Sequence, residues 1–92
     1  MITAFVLVTV DVARIPEVGQ ALAEIDGVRE VYSTTGDWDL IAVVRVAEHD
    51  DLADVIADRL SKVEGVLSTQ THIAFRAYSK VDLEAAFSIG LD

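Results

Sequence analysis

A short internal repeat constrains the fold of this 92-residue chain more than any other feature. Residues 22–28, LAEIDGV, recur 38 positions later as residues 60–66, LSKVEGV. In each copy an apolar helical pattern ends at a glycine, a residue that commonly terminates helices, and a run typical of a strand follows. The chain is therefore predicted to contain two related units, in each of which a helix leads into a strand.

Apolar periodicity places six elements around this repeat. Strands are predicted over residues 2–11, 28–35, 40–47 and 66–78, and helices over 15–25 and from residue 50 to the glycine at 65. The order β-α-β-β-α-β, with right-handed crossovers, predicts an α+β ferredoxin-like sandwich in which both helices cover one face of a four-stranded antiparallel sheet. We assign residues 1–78 to this domain and expect one short helix, over 82–88, in the tail of residues 79–92.

The first strand is apolar on both of its faces, which indicates a second layer beyond the helices. Phe5 and Leu7 alternate with a fully apolar row on the other side, and the strand over 40–47 is apolar at nearly every position. The chain is 52% apolar with a mean hydropathy of +0.41, high for a single small domain. We therefore predict a homodimer in which two sheets pair face to face, as in dimeric α/β barrels.

Composition excludes several classes of function. A net charge of -9 opposes binding to nucleic-acid phosphates, and the absence of cysteine removes disulfides and thiolate metal sites. No apolar run approaches the roughly 18 residues of a membrane span, and no signal peptide precedes the first strand, so a cytoplasmic protein is expected. His49 and His72 lack metal-ligand spacing, and we expect neither a metal nor another cofactor.

The stretch from Thr34 to Leu40 concentrates the chain's functional groups at a predicted hairpin turn. Gly36 and Asp37 supply turn chemistry, and Trp38 is costly to expose at a loop tip, which indicates a contact there. The simplest interpretation is a solvated turn. The alternative is a site for a zwitterion, with Asp39 receiving an ammonium group and the N–H groups of the turn a carboxylate.

The last strand offers a second group of polar side chains. Thr69 and Thr71 are predicted to share one face of this strand, and Gln70 and His72 the other. The two threonine hydroxyls are candidate ligand contacts, although they equally suit a solvated edge strand. We give the two interpretations similar weight for Thr69 and Thr71.

The whole pattern resembles the effector-binding domain, or RAM domain, of the Lrp/AsnC (feast/famine) transcriptional regulators. The resemblance covers residues 1–78 and rests on a helix ending in IDGV, a tyrosine-containing strand, and TGDWDL before an apolar strand. Its most specific part is Gly36-x-x-Asp39-Leu40 followed by Val43, reinforced by the sequence STQT at 68–71.

This resemblance implies a non-enzymatic regulatory domain that binds an amino acid or a similar small zwitterion. It implies dimers that assemble into a ring, commonly an octamer, with the ligand between dimers. The loop of Gly36, Asp37, Trp38 and Asp39 would contact the ligand backbone, Asp39 would bind its amino group, and Thr69 and Thr71 its polar atoms. Full-length members carry an N-terminal helix-turn-helix, whereas Met1 here opens on the first strand, so we expect a stand-alone domain that regulates a full-length relative by mixed assembly.

Two alternatives from other classes share the predicted topology. A small dimeric α+β barrel enzyme, such as a cofactor-free monooxygenase or a decarboxylase, would need a cavity into which His72 points. A purely architectural oligomer would use the Gly36 turn for contacts and bind no ligand. An ACT-type domain pairs its sheets side by side, which the apolar second face disfavours.

Overall fold

A computed structural model describes residues 1–80, and the tail helix expected over 82–88 lies outside these residues. Four strands form one antiparallel sheet: β1 (Ile2–Val10), β2 (Val28–Ser33), β3 (Leu40–Val46) and β4 (Val66–Ile73). They lie in the order β2-β3-β1-β4, so β1 and β3 are central and β2 and β4 are edges. This arrangement confirms the predicted ferredoxin-like α+β fold.

Two helical segments connect the strands. A 3₁₀ turn, Val12–Arg14, leads into α1 (Ile15–Ala23), in which Pro16 occupies the first turn where its missing N–H costs no hydrogen bond. The second segment begins as α2 (His49–Ala53), continues as a π-helical stretch, Asp54–Arg59, and ends in a 3₁₀ turn, Leu60–Lys62. None of the helices within residues 1–80 is long and apolar enough to cross a membrane.

The hydrophobic core lies between the helices and one face of the sheet. Alternate residues of the two central strands face the helices, as the sequence pattern predicted, and are fully or almost fully buried. These are Ala4, Val6, Val8 and Val10 on β1 and Leu40, Ala42, Val44 and Val46 on β3, and they pack with Val18, Leu22, Leu52, Val55 and Leu60 of the helices.

The π-helical stretch corrects the prediction of a regular second α-helix. Val55 and Leu60 are both buried, yet residues five apart in an α-helix point about 140° apart. Here the N–H of Leu60 donates to the carbonyls of both Ile56 and Val55, and the second of these is the i to i+5 bond of a π-helix. The wider turn brings both side chains into the same core.

Two glycines show how the repeated units pack together. Gly27 and Gly65 have φ angles of +97° and +101°, and each ends a helical segment before a strand. A Cβ atom on Gly27 would lie 2.8 Å from Val55 Cγ2, and one on Gly65 would lie 2.6 Å from Val18 Cγ2. The glycine turn of each unit therefore contacts the helix of the other unit.

Strand β4 ends earlier than the sequence predicted. The expected strand ran to Tyr78, whereas β4 ends at Ile73, opposite Ala4 near the start of β1. One further backbone bond, from Ala74 N–H to Thr3 O at 2.8 Å, follows the ladder. β4 is therefore five residues shorter than predicted, although β1 continues for two residues beyond Ala4, to Ile2.

Candidate functional site

The loop between β2 and β3 is closed by the residue at its start. The Thr34 N–H donates to Asp39 O at 3.1 Å, and Thr34 Oγ1 donates to Trp38 O at 2.8 Å. Gly36 has a φ of +99°, and a Cβ built on it would have no neighbour within 4 Å. Backbone conformation, rather than lack of space, therefore favours glycine at this position.

Asp39 joins this loop to the central strand β1. Its N–H donates to Val8 O at 2.9 Å, and its carboxylate Oδ2 accepts the N–H of Val10, also at 2.9 Å. The ladder between β1 and β3 ends at the pair Val8 and Leu40, so Val10 lies beyond the last paired residue of β3. The half-buried Asp39 side chain thus supplies the acceptor that β3 no longer provides.

The remaining loop residues face outward to different degrees. Asp37 is exposed and forms no hydrogen bond or ion pair within residues 1–80, whereas Trp38 is half-buried. In the described part of the chain, the backbone N–H groups of residues 35–38 have no protein acceptor. The same loop therefore contains backbone donors without a protein acceptor and the carboxylate of Asp39.

The two threonines of β4 lie at the same end of the sheet but not beside the loop. Thr69 pairs with Val8, which pairs with Leu40, so Thr69 stands two strand spacings, roughly 10 Å, from the start of β3. Thr71 pairs with Val6, which lies two residues further from the loop along β1. One protomer thus brings Gly36, Asp37, Trp38 and Asp39 together and leaves the threonine hydroxyls on the far side of β1.

A cleft that the sequence did not predict opens beside the loop. It has a volume of about 420 Å³ and lies between α1 and the β2–β3 pair; we call it the α1 cleft. Its lining consists of Ile15, Pro16, Gly19, Gln20 and Ala23 from α1 and Val31, Ser33 and Leu40 from the strands. Ser33 and Leu40 form the last β2–β3 pair before the loop, so the cleft adjoins the loop.

The sheet face away from the helices, here called the open face, carries the second apolar row expected from β1. Phe5 is 41% exposed and Tyr32 51% exposed, with half-buried Leu7 and Ile41 between them. Register places Tyr32, Ile41 and Leu7 in one continuous row across three strands. Within residues 1–80, Phe5 and Tyr32 stay exposed, and Leu7 and Ile41 stay half-buried.

Polar groups border the open face. The Tyr32 hydroxyl donates to the carboxylate of Glu30, and this hydrogen bond raises the pKa of the Tyr32 phenol above its ordinary value of 10.0.

His72 lies opposite Phe5 on the same face. It lines neither the α1 cleft nor the two smaller clefts next to Phe75. The cavity that the barrel-enzyme alternative requires at His72 is therefore not among these clefts.

Comparison with known proteins shows the family of this chain. The family model described as the Lrp/AsnC ligand binding domain matches residues 3–82. The HTH-type transcriptional regulator LrpA1 of Halobacterium salinarum is 41% identical over 71 residues, which cover 75% of this chain and 49% of LrpA1. The chain spans about half the length of the curated relatives that it matches.

Two solved structures have a fold similar to that of this chain. TTHA0845 from Thermus thermophilus is 46% identical, with a TM-score of 0.82 over 87% of this chain and 100% of that one. The feast or famine regulatory protein from M. tuberculosis, complexed with L-methionine, is 28% identical, with a TM-score of 0.71 over 87% of this chain and 54% of that one. Both share this backbone architecture.

Proposed function

Because this chain belongs to the Lrp/AsnC ligand-binding-domain family, we propose that it is a non-enzymatic regulatory domain that binds an amino acid at the loop of residues 34–39. The relatives named above include one HTH-type transcriptional regulator and one feast or famine regulatory protein complexed with L-methionine. The regulatory role follows from the family, and the ligand class and site are our proposal.

The observation that carries this proposal is the pairing of donors and a carboxylate in one loop. The N–H groups of residues 35–38 suit the carboxylate of an amino acid, and the Asp39 carboxylate suits its ammonium group. A carboxylate offers about four lone-pair sites, and the bond from Val10 uses one of them. Asp39 can therefore hold the loop on β1 and accept an ammonium group at once.

The open face supports a further step, the assembly of two chains through their sheets. Phe5, Leu7, Ile41 and Tyr32 form an apolar row that a second copy of the same sheet would bury. We propose a face-to-face homodimer and, from it, a ring such as an octamer. In this assembly the ligand lies between dimers.

An assembly of this kind would also account for the distance between the loop and Thr69. The two lie roughly 10 Å apart in one protomer, so a small ligand held by Asp39 would meet the hydroxyls of Thr69 and Thr71 most readily from another subunit. We further propose that the protein acts in the cytoplasm, by mixed assembly with a DNA-binding relative that carries a helix-turn-helix.

Isothermal titration calorimetry of the chain against each of the protein amino acids tests the proposal. We expect binding heat with at least one of them, and a ligand-dependent change in particle mass by light scattering. Absence of heat with every amino acid would refute the proposed function.

A further inference from the structure

We propose that one of the two clefts next to Phe75 binds a small organic acid that has a flat apolar body and no ammonium group. This cleft has a volume of about 280 Å³ and contains Arg45 and Arg76 in its lining; we call it the arginine cleft. It lies where β1 begins, whereas the loop of residues 34–39 lies at the opposite end of the sheet. The arginine cleft is therefore a separate site from the one proposed for an amino acid.

The two guanidinium groups of this cleft have no anionic partner in the described part of the chain. Acidic side chains outnumber lysine and arginine by 16 to 7, and Arg14 pairs with Glu64 at 3.0 Å. Arg45 and Arg76, in contrast, form no ion pair or side-chain hydrogen bond within residues 1–80, and no Asp or Glu of these residues lines the cleft. Two guanidinium groups without a counter-charge suit a carboxylate, which each can bind through two parallel hydrogen bonds.

The fold brings these arginines together from two distant segments. Arg45 is the only charged residue of β3, and it pairs with Thr3 of β1. Beyond the end of β4, the Ala74 N–H donates to Thr3 O at 2.8 Å, which holds the start of the following segment against β1. Thr3 therefore contacts both segments, one through the strand pairing and the other through this hydrogen bond, and it lines the cleft itself.

Two aromatic side chains provide the apolar part of the cleft. Phe5 is 41% exposed, and Phe75 is fully exposed. An aromatic ring left in water forgoes a large gain from burial, and rings pack well against other flat apolar groups. A ligand with a flat apolar body would cover part of both rings while its carboxylate meets the arginines. Phe5 also belongs to the open face, so the cleft borders the proposed dimer contact.

The charge of the cleft disfavours an amino acid as its ligand. An ammonium group placed there would lie beside two guanidinium groups, and no described carboxylate lines the cleft to receive it. The same acid without an ammonium group avoids this repulsion. The two sites would therefore select opposite features, since the loop of residues 34–39 is proposed to bind an ammonium group and the arginine cleft would reject it.

Calorimetry with phenylacetate as the probe tests the inference. We expect one phenylacetate to bind per chain, and phenylacetamide, which is similar in size but uncharged, to bind at least tenfold more weakly. Arg45→Gln and Arg76→Gln should each weaken phenylacetate binding at least tenfold, and both residues are exposed, so the core stays intact. Arg29→Gln removes the same charge from an exposed position of β2 outside the cleft and should change affinity less than twofold.

Competition distinguishes this site from the amino-acid site. Asp39→Asn and saturating phenylalanine should leave phenylacetate binding unchanged, whatever the chain's affinity for amino acids. Displacement of phenylacetate by phenylalanine would overturn the inference, as would the absence of phenylacetate binding in the millimolar range. Inorganic phosphate that binds as tightly as phenylacetate would overturn the role of the aromatic rings. A fall in particle mass in Arg45→Gln, without phenylacetate binding to the unaltered chain, would replace the inference with an ion pair to a second copy.

Discussion

The carboxylate of Asp39 accepts the backbone N–H of Val10 at 2.9 Å, so a loop side chain completes the hydrogen bonding of a strand that is longer than its neighbour. Without this bond the Val10 N–H would lose its acceptor on the β3 side. The same carboxylate is the group that we propose binds the ligand ammonium. A substitution at Asp39 can therefore affect stability, ligand binding or both.

Two substitutions at Asp39 separate these roles. Asp39→Ala removes the acceptor for Val10 and should lower the free energy of unfolding by about 1–2 kcal/mol. Asp39→Asn keeps a carbonyl oxygen for that N–H and should cost less than about 1 kcal/mol, yet it removes the negative charge and should weaken amino-acid binding at least tenfold. Urea denaturation and calorimetry measure the two effects.

Asp37→Asn is the matched control, because Asp37 is an exposed carboxylate in the same loop without a hydrogen bond in the described residues. It should preserve both stability and binding. Equal loss of binding in Asp37→Asn and Asp39→Asn would contradict the role assigned to Asp39.

Gly36 and Gly27, which both have a positive φ, should differ in their tolerance of alanine. Gly36→Ala meets no neighbour and should cost about 1–2 kcal/mol from backbone strain alone. Gly27→Ala adds a contact of 2.8 Å to Val55 Cγ2, and overpacking of this kind costs about 1–3 kcal/mol more. Chemical denaturation of the single variants should therefore rank Gly27→Ala as the less stable.

A double-mutant cycle checks the reason for this ranking. Val55→Ala removes the methyl groups that a side chain at Gly27 would meet. The free energy of unfolding of the double variant should therefore be about 0.5–3 kcal/mol higher than the sum of the two single effects predicts. Strict additivity would show that the contact between the two units has no part in the effect.

Phe5 on the open face should control the proposed dimer. Phe5→Glu places a charge in the apolar row and should shift the particle mass to that of a monomer in light scattering, since burying an unpaired charge is costly. Val12→Glu changes an apolar residue that is 76% exposed and lies off the sheet, and it should leave the mass unchanged. A monomeric unaltered chain, or a Phe5→Glu variant with unaltered mass, would rule out this interface.

Tyr32 should titrate above its ordinary pKa of 10.0, because its phenol donates to the Glu30 carboxylate. Since the folded pKa is raised, the stabilisation is complete below pH 10 and is lost as the pH rises through the folded pKa. Glu30→Gln should bring the pKa of Tyr32 back towards 10.0, as followed by phenolate absorbance. The chain has only two tyrosines, so the phenolate transition that disappears in Tyr32→Phe belongs to Tyr32. An unchanged pKa of this transition in Glu30→Gln would contradict the role of the Glu30 carboxylate.

Local patterns in the sequence were sufficient for the architecture. The repeat around Gly27 and Gly65 predicted two helix-to-strand junctions, and alternation along β1 placed Val6 and Phe5 on opposite faces, as the structure shows. The same alternation on β4 separated Thr71 from His72, as the register confirms. These features were predictable because each depends on turn conformation or on a periodicity within a few residues.

The details of the candidate site depend on residues far apart in the chain. The sequence predicted that Asp39 binds a ligand, but it did not predict the bond between Asp39 and Val10. This bond forms because β1 extends beyond the last paired residue of β3, which no local pattern indicates. The roles of Asp39, Thr69 and Thr71 toward a ligand stay predictions.

The sequence by itself determined the order of the elements, the central and edge strands, and the loop at residues 34–40, because turn residues and apolar alternation act locally. Only the tertiary structure decided the π-helical turn that returns Leu60 to the core, the separation of Thr69 from the loop, and the α1 cleft. Each of these depends on how tightly elements distant in sequence pack together. A cleft beside Gly19 exists only once α1 lies against β2 and β3, and that approach is set by side-chain volumes in the whole core.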